Sequence, residues 1–247
     1  MVNNRDNLYQ EQQSSVSKFT FDEQVAEVFA DMIARSVPGY QQILELLPSL
    51  VEEFTFDKAN YYDLGCSLGA GMLAIASSLA KQKTNTTVIG IDNSQAMLDQ
   101  AEVLIEPYFN EKQINFSLQC SDIRQFKLTQ AALVLMNFTL QFIPLQDRDP
   151  LLQNIYNNTQ KGGALILSEK IKFDDTTTNN RMINIHHNFK ARQGYTQLEI
   201  SQKRDAIENV LIPETLNAHI QRLRSVGFKT ITPWVQNLQF ISILAIK

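Results

Sequence analysis

Acidic and amide side chains follow four short apolar segments of the sequence. Asp63 ends the first segment and Asp92 the second, whereas Asp122 and Asn137 follow the third and the fourth. If these segments are neighbouring parallel strands, the four side chains share the sheet edge where such folds bind their ligands. A carboxylate at this edge can accept hydrogen bonds from ribose hydroxyls, and another can accept one from an adenine amino group. The spacing therefore favours a nucleoside-binding site, with Asp92 at the ribose and Asp122 at the adenine.

A glycine-rich stretch, GCSLGAG, directly follows the first apolar segment. Gly65, Gly69 and Gly71 allow a tight turn that brings backbone amides and the start of the next helix close to a ligand. The dinucleotide fingerprint requires a glycine at the position of Ser67, so the stretch disfavours NAD. The turn is therefore predicted to bind a different nucleotide-like molecule.

Each of these residues also has a purely structural interpretation. Asp92 could cap the helix that runs through Met97, and Asp122 could be an ordinary turn residue. Gly65 and Gly69 could serve the tight turn alone. We favour the ligand-binding interpretation because the residues stand in order at successive strand ends.

The elements that must position these residues follow from hydrophobic periodicity. Strand-length apolar runs alternate with longer runs of helical period, which predicts an α/β fold with a largely parallel sheet. Strands are predicted over residues 61–64, 87–91, 114–119, 132–136, 164–168, 230–235 and 240–246. Apolar stripes in GMLAIASSLAKQ and SQAMLDQAEVLI predict two crossover helices, and the second stripe includes Leu104.

Two stretches depart from this alternation. Residues 19–57 are predicted to form an N-terminal helical cover, whose first helix stops at Pro38-Gly39. Residues 174–220 are predicted to form a helical insertion before the sixth strand. We therefore expect a single domain over residues 1–247.

Composition and charge limit the function classes. A formal net charge of −4 and a pI near 5.4 give no basic surface of the kind that binds nucleic acid. The polar N-terminus and the absence of a long apolar run predict a soluble, cytoplasmic protein without a membrane partner. Cys66 and Cys120 lack disulfide or metal-ligand spacing, so reduced thiols and no metal site are expected.

The stretch from Asp63 to Gly69 resembles the first motif of class I S-adenosylmethionine-dependent methyltransferases. Longer segments are similar, nearly end to end, to the carboxy-S-adenosylmethionine synthases of bacterial tRNA wobble-uridine modification. The similar segments are FTFDEQVAEVFADMIARSVPGY, YYDLGCSLGAG, IDNSQAM, NFTLQF, GGALILSEK and HHNFKARQGYTQLEISQKR. The resemblance implies a Rossmann-like class I methyltransferase fold, with a seven-stranded, mostly parallel sheet and helices on both faces.

The resemblance also implies an activity and a set of site residues. Such enzymes convert S-adenosyl-L-methionine and prephenate to carboxy-S-adenosyl-L-methionine and phenylpyruvate, and they do so as homodimers. The implied S-adenosyl-binding positions are Tyr40, Gly65, Cys66, Ser67, Asp92, Asn93, Asp122, Ile123 and Asn137. Arg204, donated by the neighbouring subunit, would bind the product carboxylate, and Arg204 and Asn137 would be the catalytic residues. Serine at position 67 belongs to the pattern of this family.

Arg204 has a competing interpretation. Glu208 stands one helical turn further on, and an exposed pair of this kind contributes only tenths of a kcal/mol. The sequence alone favours that surface pair. The resemblance favours the carboxylate clamp, for which the planar guanidinium group is well suited.

Other polar residues are open to two interpretations as well. His186 and His187 could transfer protons or bind a substrate anion, or they could simply lie on a polar turn of a helix. Glu169 and Lys170 follow the fifth strand and could pair with each other at the surface.

Two other functions fit the same pocket. The chain could be an ordinary small-molecule methyltransferase, or a non-catalytic S-adenosylmethionine-binding subunit of an RNA-modifying partner. The acidic net charge is compatible with all three functions.

Overall fold

The computed structural model describes residues 4–12, 18–81, 86–207 and 210–247. Its strands are β1 (Asn60–Leu64), β2 (Thr87–Asp92), β3 (Asn115–Cys120), β4 (Ala131–Asn137), β5 (Thr159–Lys170), β6 (Thr230–Asn237) and β7 (Phe240–Ile246). They form a seven-stranded sheet of order β3-β2-β1-β4-β5-β7-β6. Strands β1 to β5 pair in parallel, and β7 is antiparallel to both of its neighbours. The predicted mostly parallel sheet is therefore confirmed.

The helices of the described chain lie before the first strand and between later ones. They are α1 (Glu23–Ser36), α2 (Tyr40–Glu53), α3 (Ala70–Leu79), α4 (Gln95–Lys112), α5 (Leu145–Asn158), α6 (Thr176–Arg192), α7 (Gln197–Ile207) and α8 (Leu216–Val226). A short 3₁₀ turn spans Leu140–Phe142. No helix of the described part is long and apolar enough to cross a membrane.

Two apolar cores lie on opposite faces of the sheet. Val134 and Met136 of β4 belong to the core that includes α5 and α8, whereas Leu133 and Leu135 belong to the core that includes α2, α3 and α4. Successive side chains of a strand point to opposite faces, so this alternation requires helices on both sides. The predicted layering of the sheet between helices is confirmed.

Two details differ from the sequence predictions. Strand β5 begins at Thr159, before the predicted residue 164, because its first half contains Gly162 and Gly163 and lacks the apolar pattern. On α4, Leu104 was predicted in the buried stripe but is 36% exposed, whereas its neighbour Ile105 is fully buried.

Specific residues set the start of α1 and the turn that follows its end. The Asp22 side chain accepts a hydrogen bond from the Val25 amide and so caps the start of α1. Gly39 has a φ of 83°, and a Cβ atom there would lie 2.2 Å from Asn237 Nδ2. Glycine is therefore required at the turn that separates α1 from α2.

Candidate active site

A cavity of about 550 Å³ lies at the carboxyl ends of the parallel strands. This volume is typical of small-molecule sites. All of the predicted site residues line it: Tyr40, Gly65, Cys66, Ser67, Asp92, Asn93, Asp122, Ile123, Asn137 and Arg204. Residues that were selected from separate parts of the sequence are thus brought together in one place.

The turn between β1 and α3 has the left-handed backbone that its glycines suggested. Gly65 and Gly69 have φ values of 79° and 80°, and Ser67 has a φ of 49°. A Cβ atom on Gly69 would lie 2.6 Å from Ile105 Cγ2, and one on Gly65 would lie 2.4 Å from Thr139 Oγ1. Side chains at these two positions would therefore clash, and the backbone can approach a ligand closely.

The Asp92 carboxylate joins this turn to the end of β2. Its Oδ2 accepts a hydrogen bond from the Ser67 amide at 2.9 Å, and its Oδ1 accepts one from the Ser94 amide at 3.0 Å. Ser94, and not Asp92, caps α4, because its hydroxyl accepts from the Met97 amide. A carboxylate has about four acceptor sites, so Asp92 can still accept from two ribose hydroxyls.

Two acids lie side by side in the cavity wall, and Asp63 is buried whereas Asp92 is partly buried. Burial raises the pKa of Asp63 to about 7, and the charge of Asp92 contributes to this rise. Burial also raises the pKa of Asp92, against the hydrogen bonds from Ser94 and Ser67. A Cβ atom on Gly71 would lie 2.4 Å from Asp63 Oδ2, so α3 starts in direct contact with this acid.

The third acid stands at the mouth of the cavity. Asp122 Oδ1 accepts hydrogen bonds from the Arg124 amide at 2.9 Å and from Arg124 Nε at 3.0 Å. The Arg124 guanidinium holds the pKa of Asp122 below its usual range. Next to it, Ile123 is 6% exposed and gives the cavity an apolar wall suited to an aromatic base.

Asn137 lies where β4 ends, between the acidic residues and the opposite side of the cavity. Its Oδ1 is buried and has no hydrogen-bond partner among the described residues. An unsatisfied buried amide oxygen is costly, and a ligand N–H group would satisfy it. The methionine ammonium of S-adenosylmethionine offers such donors, so Asp92, Asn137 and the glycine turn fit this molecule.

Aromatic side chains cover the cavity, three of them from the N-terminal part of the chain and one from the 3₁₀ turn after β4. Phe19, Phe21, Phe29 and Phe142 line it, and the rings of Phe21 and Phe142 meet edge to face at 5.4 Å. The Phe19 amide donates a hydrogen bond to the Ala206 carbonyl on α7. The sequence indicated a helical cover, but it gave no signal that these aromatic residues face the ligand site.

A basic wall lies opposite the acids. It consists of Lys170 at the end of β5, Lys190 on α6, and Lys203 and Arg204 on α7, all of which line the cavity. Of these four residues, only Arg204 is a site residue predicted from the sequence. The three lysines belong to three different elements, β5, α6 and α7, so the fold brings them together.

The possible surface pair of Glu169 and Lys170 is not formed. Both residues belong to β5, and Glu169 is fully buried, with no hydrogen bond to its carboxylate oxygens among the described residues. Adjacent residues of a strand point to opposite faces, so the two side chains diverge. Burial raises the pKa of Glu169 well above its usual range.

The two histidines differ in their surroundings. His186 Nε2 lies 2.7 Å from the Ser36 carbonyl oxygen, and the ring packs edge to face on Phe240. Burial lowers the pKa of His186 to about 3, so the ring is neutral and donates its Nε2 proton to that carbonyl. His187 is partly buried and lines the cavity. His186 is therefore poorly placed to carry protons, whereas His187 is accessible from the cavity.

Arg204 stands at the edge of the cavity of its own chain. Its side chain is 58% exposed, and its Nε and Nη2 atoms donate to Asp205 Oδ1 at 3.1 and 3.0 Å. Glu208, the partner suggested by helical spacing, lies outside the described residues. Among the described residues, the guanidinium is thus held by an exposed pair with Asp205, which a carboxylate ligand can displace at little cost.

The arrangement combines two kinds of binding surface. The acids and the amide oxygen suit a nucleoside and an ammonium group, whereas the lysines and Arg204 suit an anion. Within the described ranges, no group of three or more His, Cys, Asp or Glu side chains is placed to hold a metal ion. Cys66 is buried, Cys120 is exposed, and both are free thiols as predicted.

Comparison with known proteins agrees with the fold. Residues 62–163 match the methyltransferase domain family. An O-methyltransferase family protein from Burkholderia thailandensis superposes with a TM-score of 0.61 and 14% identity, covering 95% of this chain and 65% of that one. Human N-acetylserotonin methyltransferase, solved with S-adenosylmethionine, has a TM-score of 0.57 and 19% identity, covering 91% of this chain and 55% of that one. The fold is therefore that of the class I methyltransferases.

Similarity to curated proteins is much stronger and spans the whole chain. The carboxy-S-adenosyl-L-methionine synthase of Idiomarina loihiensis is 46% identical over 242 residues, or 98% of each protein. The synthase of Hahella chejuensis is 46% identical over the full length of both chains. The synthase of Mannheimia succiniciproducens is 45% identical over 98% of this chain and 99% of its own. This chain belongs to the carboxy-S-adenosyl-L-methionine synthase family.

Proposed function

We propose that this chain converts S-adenosyl-L-methionine and prephenate to carboxy-S-adenosyl-L-methionine and phenylpyruvate. The observation that carries the proposal is the full-length identity with synthases of that name. The cavity that gathers the ten expected positions supports it. The product would supply the carboxymethyl donor for modification of the wobble uridine in tRNA.

The reaction balances without a further reactant. The prephenate ring loses its carboxyl group as carbon dioxide and its hydroxyl group as hydroxide, and it becomes aromatic. The sulfonium methyl group loses a proton, which combines with the hydroxide to form water. The methyl carbon then bonds to the carbon dioxide. The products are carboxy-S-adenosyl-L-methionine, phenylpyruvate and water.

The contribution of the protein is to bind, orient and exclude water. In this proposal, Asp92 accepts from the ribose hydroxyls, Asp122 from the adenine amino group, and Asn137 Oδ1 from the methionine ammonium. The aromatic cover of Phe19 and Phe21 keeps water away from the methyl group. Carbon dioxide released in a closed cavity is held beside the carbon that it must meet.

Arg204 is proposed to bind the new carboxylate through its two N–H groups. The family resemblance implies that a neighbouring subunit donates this residue, so we propose a homodimer in which the partner completes each cavity. A symmetric dimer is the commonest arrangement for an exchange of this kind. Arg204 is exposed at the rim of the cavity. From this position it can reach the cavity of its own chain or that of a neighbouring subunit.

Mass spectrometry of the reaction mixture tests the proposed function. Purified protein with S-adenosyl-L-methionine and prephenate should form a carboxylated sulfonium compound together with phenylpyruvate. An ordinary methyltransferase would instead form S-adenosylhomocysteine with a methylated acceptor. A non-catalytic subunit would return both reactants unchanged. Either of these results would contradict the proposal.

A further inference from the structure

Charged groups are distributed unevenly across the cavity. Asp122, Asp92 and Asp63 lie at the ends of β3, β2 and β1, which are consecutive in the sheet. Asn137 follows at the end of β4, and Lys170 stands at the end of β5. The cavity therefore changes from acidic to basic along the strand order, and a cationic ligand and an anionic ligand can lie side by side in it.

Two of the lysines on the basic side have no counter-charge. Among the described residues, neither the Lys170 ammonium nor the Lys190 ammonium has a hydrogen bond or an ion pair, although Lys190 is only 7% exposed. Lys203 differs, because its Nζ lies 3.4 Å from Asp6 Oδ2 and 3.2 Å from Ser36 Oγ. A buried ammonium without a partner is destabilising, so a function is needed to explain it.

Positive charges near Lys170 and Lys190 increase the free-energy cost of burying their ammonium groups. Burial, together with the positive charges of Lys203, Lys170 and Arg204, lowers the pKa of Lys190 to about 7. Burial also lowers the pKa of Lys170. Positive groups thus crowd one wall of the cavity, and in the described part of the chain no carboxylate pairs with Lys170 or Lys190. An anion bound there would relieve the repulsion.

We propose that Lys170 and Lys190 form an anion subsite that binds the 2-oxo-carboxylate tail of the second substrate. This inference rests on the proposed function, which requires a dicarboxylate beside the sulfonium methyl group. The subsite is distinct from Arg204, which is assigned to the carboxylate of the product. In this proposal, Lys170 and Lys190 recognise prephenate through the carboxylate of its tail.

The choice between the two prephenate carboxylates follows from the reaction. The ring carboxylate leaves as carbon dioxide, and a cation paired with it would stabilise the ground state against that loss. The tail carboxylate remains charged throughout and is kept in phenylpyruvate. Lysines that hold the tail therefore bind substrate, transition state and product alike, and they fix the ring beside the methyl carbon.

Lys170→Met and Lys190→Met test the subsite, and Lys172→Met is the matched control because Lys172 is exposed and does not line the cavity. Each cavity variant should raise the KM for prephenate by at least about tenfold. The affinity for phenylpyruvate, measured by calorimetry on protein saturated with S-adenosyl-L-methionine, should fall by a similar factor. Lys172→Met should change neither quantity.

The melting temperature provides a control for folding. Because the two ammonium groups are unpaired, the methionine variants should melt no lower than the unsubstituted protein without ligand. Folded variants with unchanged KM and unchanged phenylpyruvate affinity would overturn the subsite. A raised KM with unchanged phenylpyruvate affinity would also overturn it, because the lysines would then hold the ring carboxylate.

The same experiment separates the subsite from the proposed function. If the unsubstituted protein forms no product from S-adenosyl-L-methionine and prephenate, the proposed function fails. The binding of phenylpyruvate would still decide on the subsite, because that measurement requires no turnover.

Discussion

The Ser67 amide donates a 2.9 Å hydrogen bond to Asp92 Oδ2, and this contact joins the glycine turn after β1 to the end of β2. Ser67 reaches this position with a φ of 49°, in a region of backbone space that a serine rarely occupies. The hydrogen bond offsets the cost of that conformation. One carboxylate therefore shapes the turn and also presents its remaining lone pairs to the cavity.

Asp92→Asn should weaken the binding of S-adenosyl-L-methionine. A carboxylate that accepts from ribose hydroxyls contributes roughly 1.5–3 kcal/mol for each charged hydrogen bond, and the amide retains only one acceptor oxygen. Calorimetry measures the affinity. Asp99→Asn is the control, because Asp99 is exposed on α4. Equal affinities of the two variants would reduce Asp92 to a structural role.

Asp92→Ala is a less clean variant than asparagine. It removes the acceptor of both the Ser67 and the Ser94 amides, so we expect a loss of stability of about 1–3 kcal/mol in addition to weaker binding. Chemical denaturation measures this loss. An alanine variant as stable as the unsubstituted protein would show that neither amide depends on Asp92.

Gly69→Ala should destabilise the chain more than Gly162→Ala. Both glycines have a φ of 80°, so the backbone strain on substitution is matched. The added Cβ atom would lie 2.6 Å from Ile105 Cγ2 at position 69, whereas at position 162 the nearest atom is Phe56 Cζ at 3.9 Å. We expect about 1–3 kcal/mol of extra destabilisation from the overpacking. Similar unfolding midpoints of the two variants would show that Ile105 on α4 moves away from the added methyl group at little cost in stability.

Mixing two inactive variants tests whether Arg204 acts across a dimer. In a heterodimer of Arg204→Ala and Asp92→Ala subunits, one cavity has its own Asp92 and receives Arg204 from the partner. Random assembly should then restore about one quarter of the unsubstituted activity. If Arg204 acts on the cavity of its own chain, neither cavity is complete and the mixture stays inactive.

The ligand preference of Arg204 variants tests the clamp itself. In the proposed dimer, Arg204 and the product carboxylate form a buried, hydrogen-bonded charge pair, and truncation of one side of such a pair costs roughly 2–5 kcal/mol. Arg204→Ala should therefore bind the carboxylated and methylated ligands about equally. Arg204→Lys should recover only part of the preference, because the ammonium lacks the planar fork. Competition calorimetry with both ligands measures it. A preference that is unchanged in both variants would place the clamp elsewhere, with Arg192 and Lys190 as the next candidates.

The pH dependence of prephenate use should report Lys190. Its pKa of about 7 means that the charged form is lost as pH rises through neutrality. Because the subsite needs this charge, kcat/KM for prephenate should fall above about pH 7. The pH profile of Lys190→Met should lack this descending limb. The charged and titratable groups around Lys190 are Lys170 on β5, Lys203 and Arg204 on α7, and His186 and His187 on α6. A limb that persists in Lys190→Met would assign it to another group.

The same ionisation predicts a change of stability with the opposite sign. The pKa of Lys190 is depressed in the folded chain, so above about pH 7 the unfolded state binds more protons than the native state. The contribution of Lys190 to stability should therefore rise between about pH 7 and the ordinary lysine pKa near 10.4. Denaturation of the ligand-free protein, compared with Lys190→Met over this range, measures the contribution.

Much of the fold could be predicted because it depends on local patterns. Alternating strand-length and helical apolar runs predict the parallel sheet, and the polar residues at strand ends predict its ligand edge. The early start of β5 was missed because Gly162 and Gly163 carry no apolar signal. Leu104 was misplaced because a stripe of 3.6-residue period cannot distinguish it from Ile105 at its margin.

Site residues could be predicted only where they belong to a recognisable sequence motif. Asp92 and the glycine turn are close in sequence to the elements that they serve. Lys170, Lys190 and Lys203 come from three elements, and their approach depends on the packing of the helical insertion against the sheet edge. Glu169 and Lys170 are adjacent in sequence, which suggests a pair. Both belong to a strand, however, and adjacent side chains of a strand point to opposite faces.

Transfer of an isotopic label tests whether the ring carboxyl group of prephenate becomes the carboxylate on the former methyl carbon. Prephenate carrying ¹³C in its ring carboxyl group and S-adenosyl-L-methionine with a deuterated methyl group are incubated with the purified protein, and the products are analysed by mass spectrometry. We expect a carboxylated sulfonium compound that carries the ¹³C and has lost one methyl deuterium, together with unlabelled phenylpyruvate. A product without ¹³C, or one that keeps the intact deuterated methyl group, would contradict it.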